Sequence, residues 1–95
     1  MLTTKEKVKL RSVAQTIKAT FQVGKNEISE KTIDEILNYL NKHELIKISV
    51  LQNSIYETQE VAEILSNYAE VIQIIGRQII LYMYSDNCKN HVLKK

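Results

Sequence analysis

Phe21-Gln22-Val23-Gly24-Lys25-Asn26-Glu27-Ile28-Ser29 is the stretch from which the rest of the chain can be read. Phe21 to Val23 has strand character, and a glycine, a lysine and an asparagine then break the run. Ser29 stands where a helix cap belongs, because its hydroxyl can take a backbone N–H that the first turn leaves unpaired. The segment is therefore a strand, a sharp turn and a helix in succession. Gly24 lets a partner's backbone come close. Lys25 puts a cation at the tip, and the N–H groups of the following helix point to the same place. Such a junction suits a phosphate, although many strand-to-helix turns carry Gly and Lys for steric and solubility reasons alone.

Toward the N-terminus, Thr4 to Ala19 reads as a helix whose apolar stripe is Leu10, Val13, Ala14 and Ile17. Lys7, Arg11, Gln15 and Lys18 form a ridge beside the stripe that leads toward Gly24-Lys25. In the other direction, the helix capped by Ser29 runs to Lys42 with Ile33, Ile36, Leu37 and Leu40 inward. Leu45 to Leu51 alternates as a strand, with Ile46, Ile48 and Val50 on one face and Lys47 and Ser49 on the other. Gln52 to Tyr56 is a polar connection. Thr58 is the expected cap of a third helix to Ala69, with Val61, Ile64, Leu65 and Tyr68 inward and Glu57, Glu60, Glu63 and Glu70 outward. Val71 to Ile75 is β-branched, Gly76-Arg77 makes a tight turn, and Gln78 to Tyr84 returns as an antiparallel partner. The order helix–β–α–β–α–β–β predicts an α/β fold. It is a two-layer sandwich on a four-stranded mixed sheet, with right-handed crossovers placing helices two and three on one face.

The 95 residues fit a single domain, expected over 1–86, with a basic, flexible tail over 87–95. At 44% hydrophobic and 25% charged, with no proline and two glycines, the composition is that of a soluble globular protein. Charges near the start and a polar-broken apolar run at Val71 to Met83 exclude a signal peptide and a membrane span, so a cytoplasmic protein is expected. His43, His91 and the lone Cys88 do not fall at metal-ligand spacing. No metal and no cofactor are expected. The adjacent pair His43-Glu44 points in two directions on a helix, and Cys88 has only His91 near it, so catalysis is not expected. Net charge is +2, yet it is segregated: residues 1–25 carry +5, residues 26–70 carry −6 and residues 71–95 carry +3. A polyanion would be drawn to one side only.

Four blocks taken together carry a resemblance. Leu10-Arg11-Ser12-Val13-Ala14, Gln22-Val23-Gly24-Lys25-Asn26, His43-Glu44-Leu45-Ile46-Lys47 and Ile75-Gly76-Arg77 through Leu81-Tyr82 have the order and spacing of the YhbY-like RNA-binding proteins. These are the bacterial single-domain members of the chloroplast splicing and ribosome maturation (CRM) domain family. The resemblance implies a fold like the C-terminal domain of bacterial translation initiation factor three, with an added N-terminal helix. It also implies RNA binding, association with the precursor of the large ribosomal subunit, and no catalysis. Its KH-like GxxG loop is matched by Gly24 and Lys25, while Glu27 stands at the second glycine and Met83 where a basic residue is common.

The expected function is non-enzymatic binding of ribosomal RNA by a monomer, with neither a membrane nor a small-molecule substrate as partner. Lys7, Arg11, Lys18 and Lys25 would grip phosphates, Gly24 would allow close approach and Asn26 would donate a hydrogen bond. The alternative is a protein-interaction module that docks a ribosomal protein or an assembly GTPase through the acidic third helix or the open sheet face. Joint replacement of Lys7, Arg11 and Lys25 by Glu should leave the circular-dichroism spectrum intact. In a gel-shift titration it should abolish the affinity for ribosomal RNA fragments, and retained affinity would remove that surface from the site.

Overall fold

Residues 3–24, 28–52 and 56–85 are described by a computed structural model. They form α1 (Thr4–Ala14), β1 (Phe21–Val23), α2 (Glu30–His43), β2 (Leu45–Val50), α3 (Thr58–Leu65), β3 (Glu70–Ile75) and β4 (Gln78–Tyr82). The strands build one sheet in the order β1-β2-β4-β3. β1 is parallel to β2, and β4 is antiparallel to both β2 and β3. The architecture is the expected α/β fold on a four-stranded mixed sheet.

The strand alternation decides which helix goes where. Ile46, Ile48 and Val50 of β2, with Ile79 and Leu81 of β4, pack against Ile33, Ile36 and Leu40 of α2 and Val61, Ala62 and Leu65 of α3. Helices two and three thus share one face, as like-handed crossovers running in one direction require. Leu45, Ile80 and Tyr82 rise from the other face and meet Leu10 and Ala14 of α1. The added N-terminal helix therefore covers the side that the other two leave open. A bulge in β3 between Val71 and Gln73 supports this packing. Val71 packs in the α2–α3 cluster and Ile72, by alternation, in the α1 cluster, while the shift sets Gln73 opposite Ile80 on that same side.

Three elements stop earlier than their patterns suggest, each because side chains or other segments take the backbone groups. α1 ends at Ala14, where Thr16 gives both its N–H (3.0 Å) and its hydroxyl (2.7 Å) to the Val13 carbonyl. α3 ends at Leu65, where Ser66 Oγ donates to the Glu63 carbonyl at 2.6 Å and Asn67 Nδ2 to that of Ile64 at 3.3 Å. Its N-cap position is Glu57 rather than Thr58, and the Glu57 N–H is taken by the Glu60 carboxylate at 3.0 Å. Tyr68 falls beyond the shortened helix and is half exposed instead of inward. β4 ends at Tyr82: the Met83 N–H still meets the Glu44 carbonyl in register at 2.9 Å, but the Ser85 N–H leaves the ladder for the Glu44 carboxylate at 2.8 Å.

Glu44 is the junction of that corner. It caps α2 in the left-handed conformation (φ 65°), where a residue other than glycine is strained, yet it is fully buried. Its N–H donates to the Leu40 carbonyl at 2.7 Å, and its carboxylate accepts the Ser85 N–H at 2.8 Å. Ser85 Oγ in turn donates to the Asn41 carbonyl at 2.6 Å. The end of α2 and the chain leaving β4 are tied together in this way.

Two stability measurements follow from these contacts. Glu44→Ala leaves the buried Ser85 N–H without its side-chain acceptor and should lower unfolding free energy by about 2 kcal/mol in urea titrations. Gly76 has φ +57° at the first position of the β3–β4 turn, with nothing within 4 Å of an added Cβ. Gly76→Ala should therefore cost about 1 kcal/mol through backbone strain alone, read as a lowered melting temperature with an unchanged spectrum.

Candidate nucleic-acid interface

The first cation cluster is built on α1. Thr3 and Glu6 close its start with a capping box, the Thr3 N–H donating to Glu6 Oε1 at 2.9 Å and the Glu6 N–H to Thr3 Oγ1 at 3.1 Å. The single acid of residues 1–25 is thereby held at the helix N-terminus, where the helix dipole favours a negative charge. Lys7 and Arg11 lie one turn apart and half-buried beside the Leu10–Ala14 stripe. Arg11 Nε donates to the Lys7 carbonyl at 3.4 Å. Lys47 rises from the same face of the sheet that α1 covers, paired in register with Ile80. It adds a third cation to that side.

Lys18 stands apart from this ridge. Because α1 ends at Ala14, Lys18 sits in the connection to β1, where Thr20 donates its N–H to the Lys47 carbonyl at 2.9 Å. Lys18 and Gly24 are at opposite ends of β1. The ridge of the sequence reading is thus divided, with Lys7 and Arg11 on the helix and Lys18 beyond it.

Gly24 has a different neighbour. Val23, just before it, pairs with Val50, and its carbonyl accepts the Leu51 N–H at 2.8 Å. On the other side, the Val50 N–H donates to the Arg77 carbonyl at 2.7 Å. Gly24 and Arg77 therefore flank the Val50–Leu51 backbone at one end of the sheet, roughly 10 Å apart by two strand spacings. Ser29 starts α2 after the same turn, its Oγ accepting the Thr32 N–H at 3.3 Å. Lys25 and Asn26, the remaining expected contacts, lie outside the described residues, as does Glu27. Arg77 is exposed, and a cavity of about 320 Å³ opens beside it, lined also by Leu51, Gln52, Tyr56 and Glu57.

Sequence reasoning did not include Arg77 or Lys47 in the site. The signal for Arg77 was present, since an arginine in a two-residue hairpin turn must be solvent-facing. What it lacked was the strand order, which sets that turn beside β2. Of the tyrosines at the end of β4, Tyr82 is buried under α1 and Tyr84 is half exposed. His43 and Glu44 separate as well. The imidazole lies on the ring of Tyr39, and the carboxylate is occupied by Ser85. Among the described residues no three His, Cys, Asp or Glu side chains are grouped to hold a metal ion, and no helix is long and apolar enough to cross a membrane.

A family model, the CRS1 / YhbY (CRM) domain, matches residues 2–83. The chain belongs to the CRM domain family. Probable RNA-binding protein YqeI of Bacillus subtilis is 42% identical over 91 residues, with 94% of this chain and 95% of the relative covered. An RNA-binding protein of Haemophilus influenzae is 33% identical over 97 residues, covering 99% and 97%. Among solved structures, that of the hypothetical protein SAV1595 from Staphylococcus aureus superposes with a TM-score of 0.73 at 44% identity. It covers 90% of this chain and 92% of the other. In this CRM domain the family segment around Gly24 and the Gly76-Arg77 turn meet at one end of the sheet.

Proposed function

We propose that this CRM domain is a non-enzymatic, cytoplasmic RNA-binding protein that takes the phosphate backbone of ribosomal RNA and assists assembly of the large ribosomal subunit. The observation that carries the reading is the meeting of Gly24 and Arg77 across Val50–Leu51, in a chain whose relatives are named RNA-binding proteins. Gly24 presents backbone without a side chain, Arg77 supplies a fork of donors matched to phosphate, and Lys25 and Asn26 follow Gly24 in the chain. Lys7, Arg11 and Lys47 extend the positive surface along α1. The acids of α3, Glu60 and Glu63, are exposed on a helix that packs on the face opposite to α1 and orient a polyanion by repulsion. Contacts of this kind place the protein on folded RNA without reading bases. The use of Glu44 as a structural cap and of His43 in a ring contact supports a binding role over a catalytic one. The domain is proposed to span 1–86, to act as a monomer and to leave 87–95 as a basic tail.

A second reading is favoured by one feature. Tyr68, Ile74 and Ile75 are exposed at and beside the edge strand β3, close in sequence to the acidic α3. That surface suits a basic ribosomal protein or an assembly GTPase. The two readings part in one titration: the purified domain, with no other protein present, is mixed with ribosomal RNA at moderate salt. RNA binding predicts a shifted complex whose affinity falls steeply as salt rises. Arg77→Glu should weaken it about tenfold or more at an unchanged melting temperature. No shift for the unaltered domain would transfer the function to the protein-docking surface.

A further inference from the structure

At the end of β1 opposite to Gly24, the outer side of α2 and the edge strand enclose a groove of about 400 Å³. It is lined by Phe21, Glu35, Asn38, Tyr39, Lys42 and His43. Its floor is aromatic. The Phe21 and Tyr39 rings meet edge to face, with centroids 6.0 Å apart at 86°. Tyr39 and His43, one turn apart on α2, lie ring over ring at 4.3 Å and 32°. Phe21 and Tyr39 are half-buried, so their contact helps to seat α2 on β1. His43 is exposed, and its ring extends the aromatic stack into solvent rather than into the core.

The rim of the groove is polar and carries one cation, Lys42, and one acid, Glu35. Lys42 lies beside His43, and Asn38 lies one turn before Lys42, both exposed. The Thr20 hydroxyl lies 3.4 Å from the Tyr39 hydroxyl and 3.5 Å from the Lys18 carbonyl, so the connection bearing Lys18 runs along the Tyr39 end of the stack. Glu35 is the acid of the lining. Lys18, separated from the α1 ridge by the early end of that helix, thus acquires a place of its own.

We infer that this groove holds an unpaired nucleobase of the bound RNA, stacked on His43 at the open end of the Phe21–Tyr39–His43 series. The inference rests on the RNA-binding reading and adds to it a second contact of different chemistry. A planar base matches the exposed imidazole face. The Asn38 amide offers a donor and an acceptor to the base edge, and Lys42 and Lys18 neutralise the flanking phosphates. Aromatic faces alternating with cations are how single strands are held without sequence-reading pockets. The two sites lie at the two ends of α2, whose 14 residues span about 21 Å. One strand of RNA running along the β1 edge reaches both, with phosphate held at Gly24 and a base at His43.

The test compares two fluorescein-labelled RNA heptamers by anisotropy, one carrying all its bases and one abasic at every internal position. Phosphate contacts are common to both, so the difference between them reads stacking. The unaltered protein should bind the base-bearing strand about tenfold more tightly than the abasic one. His43→Ala should lose most of that preference at an unchanged melting temperature, and His43→Tyr should keep it. Equal binding of both strands by the unaltered protein, or a full preference in His43→Ala, overturns the base site and leaves the RNA-binding reading in place. Binding of neither strand while folded ribosomal RNA is still shifted overturns the base site alone. Failure to bind any of the three RNAs overturns both.

Discussion

Strand β4 is buried on both faces, and the rest of the molecule is arranged to keep it so. Ile79 and Leu81 point to one side, Ile80 and Tyr82 to the other, and none is more than 7% exposed. Each fully buried aliphatic side chain contributes about 1.5–3 kcal/mol relative to exposure, but only if both sides are covered. α2 and α3 cover one side and α1 the other. Strands β2 and β3 satisfy the backbone groups along the two edges of β4. Without α1, Leu45, Ile80 and Tyr82 would face water, so that helix is part of the core as well as a carrier of cations.

The same arrangement fixes the candidate interface. Because β4 enters between β2 and β3, its turn with β3 is brought next to the end of β2, and Arg77 comes to lie across β2 from Val23 and Gly24, two strand spacings away. Had β4 paired only with β3 at the sheet edge, Arg77 would have been remote from Gly24. Charge is sorted by the same geometry. The cations of α1 and Lys47 occupy one face of the sheet, while the helix that carries Glu60 and Glu63 packs on the other.

Some polar residues serve the fold rather than a ligand. Glu6 completes a capping box, Ser29 caps α2, and Glu44 joins the end of α2 to Ser85 across the sheet corner. These contacts leave Lys7, Arg11 and Arg77 on the surface with their charges turned to solvent. His43 is different, since it is neither buried nor part of a cap, and it lies on the Tyr39 ring one turn before it.

The sequence by itself determined the number and order of elements, the apolar stripe of each helix and the family. These depend on local periodicity, on Gly76 in a two-residue turn, and on four blocks at fixed spacing. It misplaced the ends of α1 and α3, because Thr16, Ser66 and Asn67 compete for backbone carbonyls in ways that an apolar pattern does not register. The bulge that sets Gln73 opposite Ile80 was equally invisible, since it is a property of the β3–β4 pair and not of β3 alone. Strand order was left to the tertiary structure, which alone set Arg77 across β2 from Gly24, took Lys18 off the helix that carries Lys7 and Arg11, and set Phe21 against Tyr39. A hydrophobic period reports which side of an element is buried, whereas the neighbour it is buried against depends on long-range pairing.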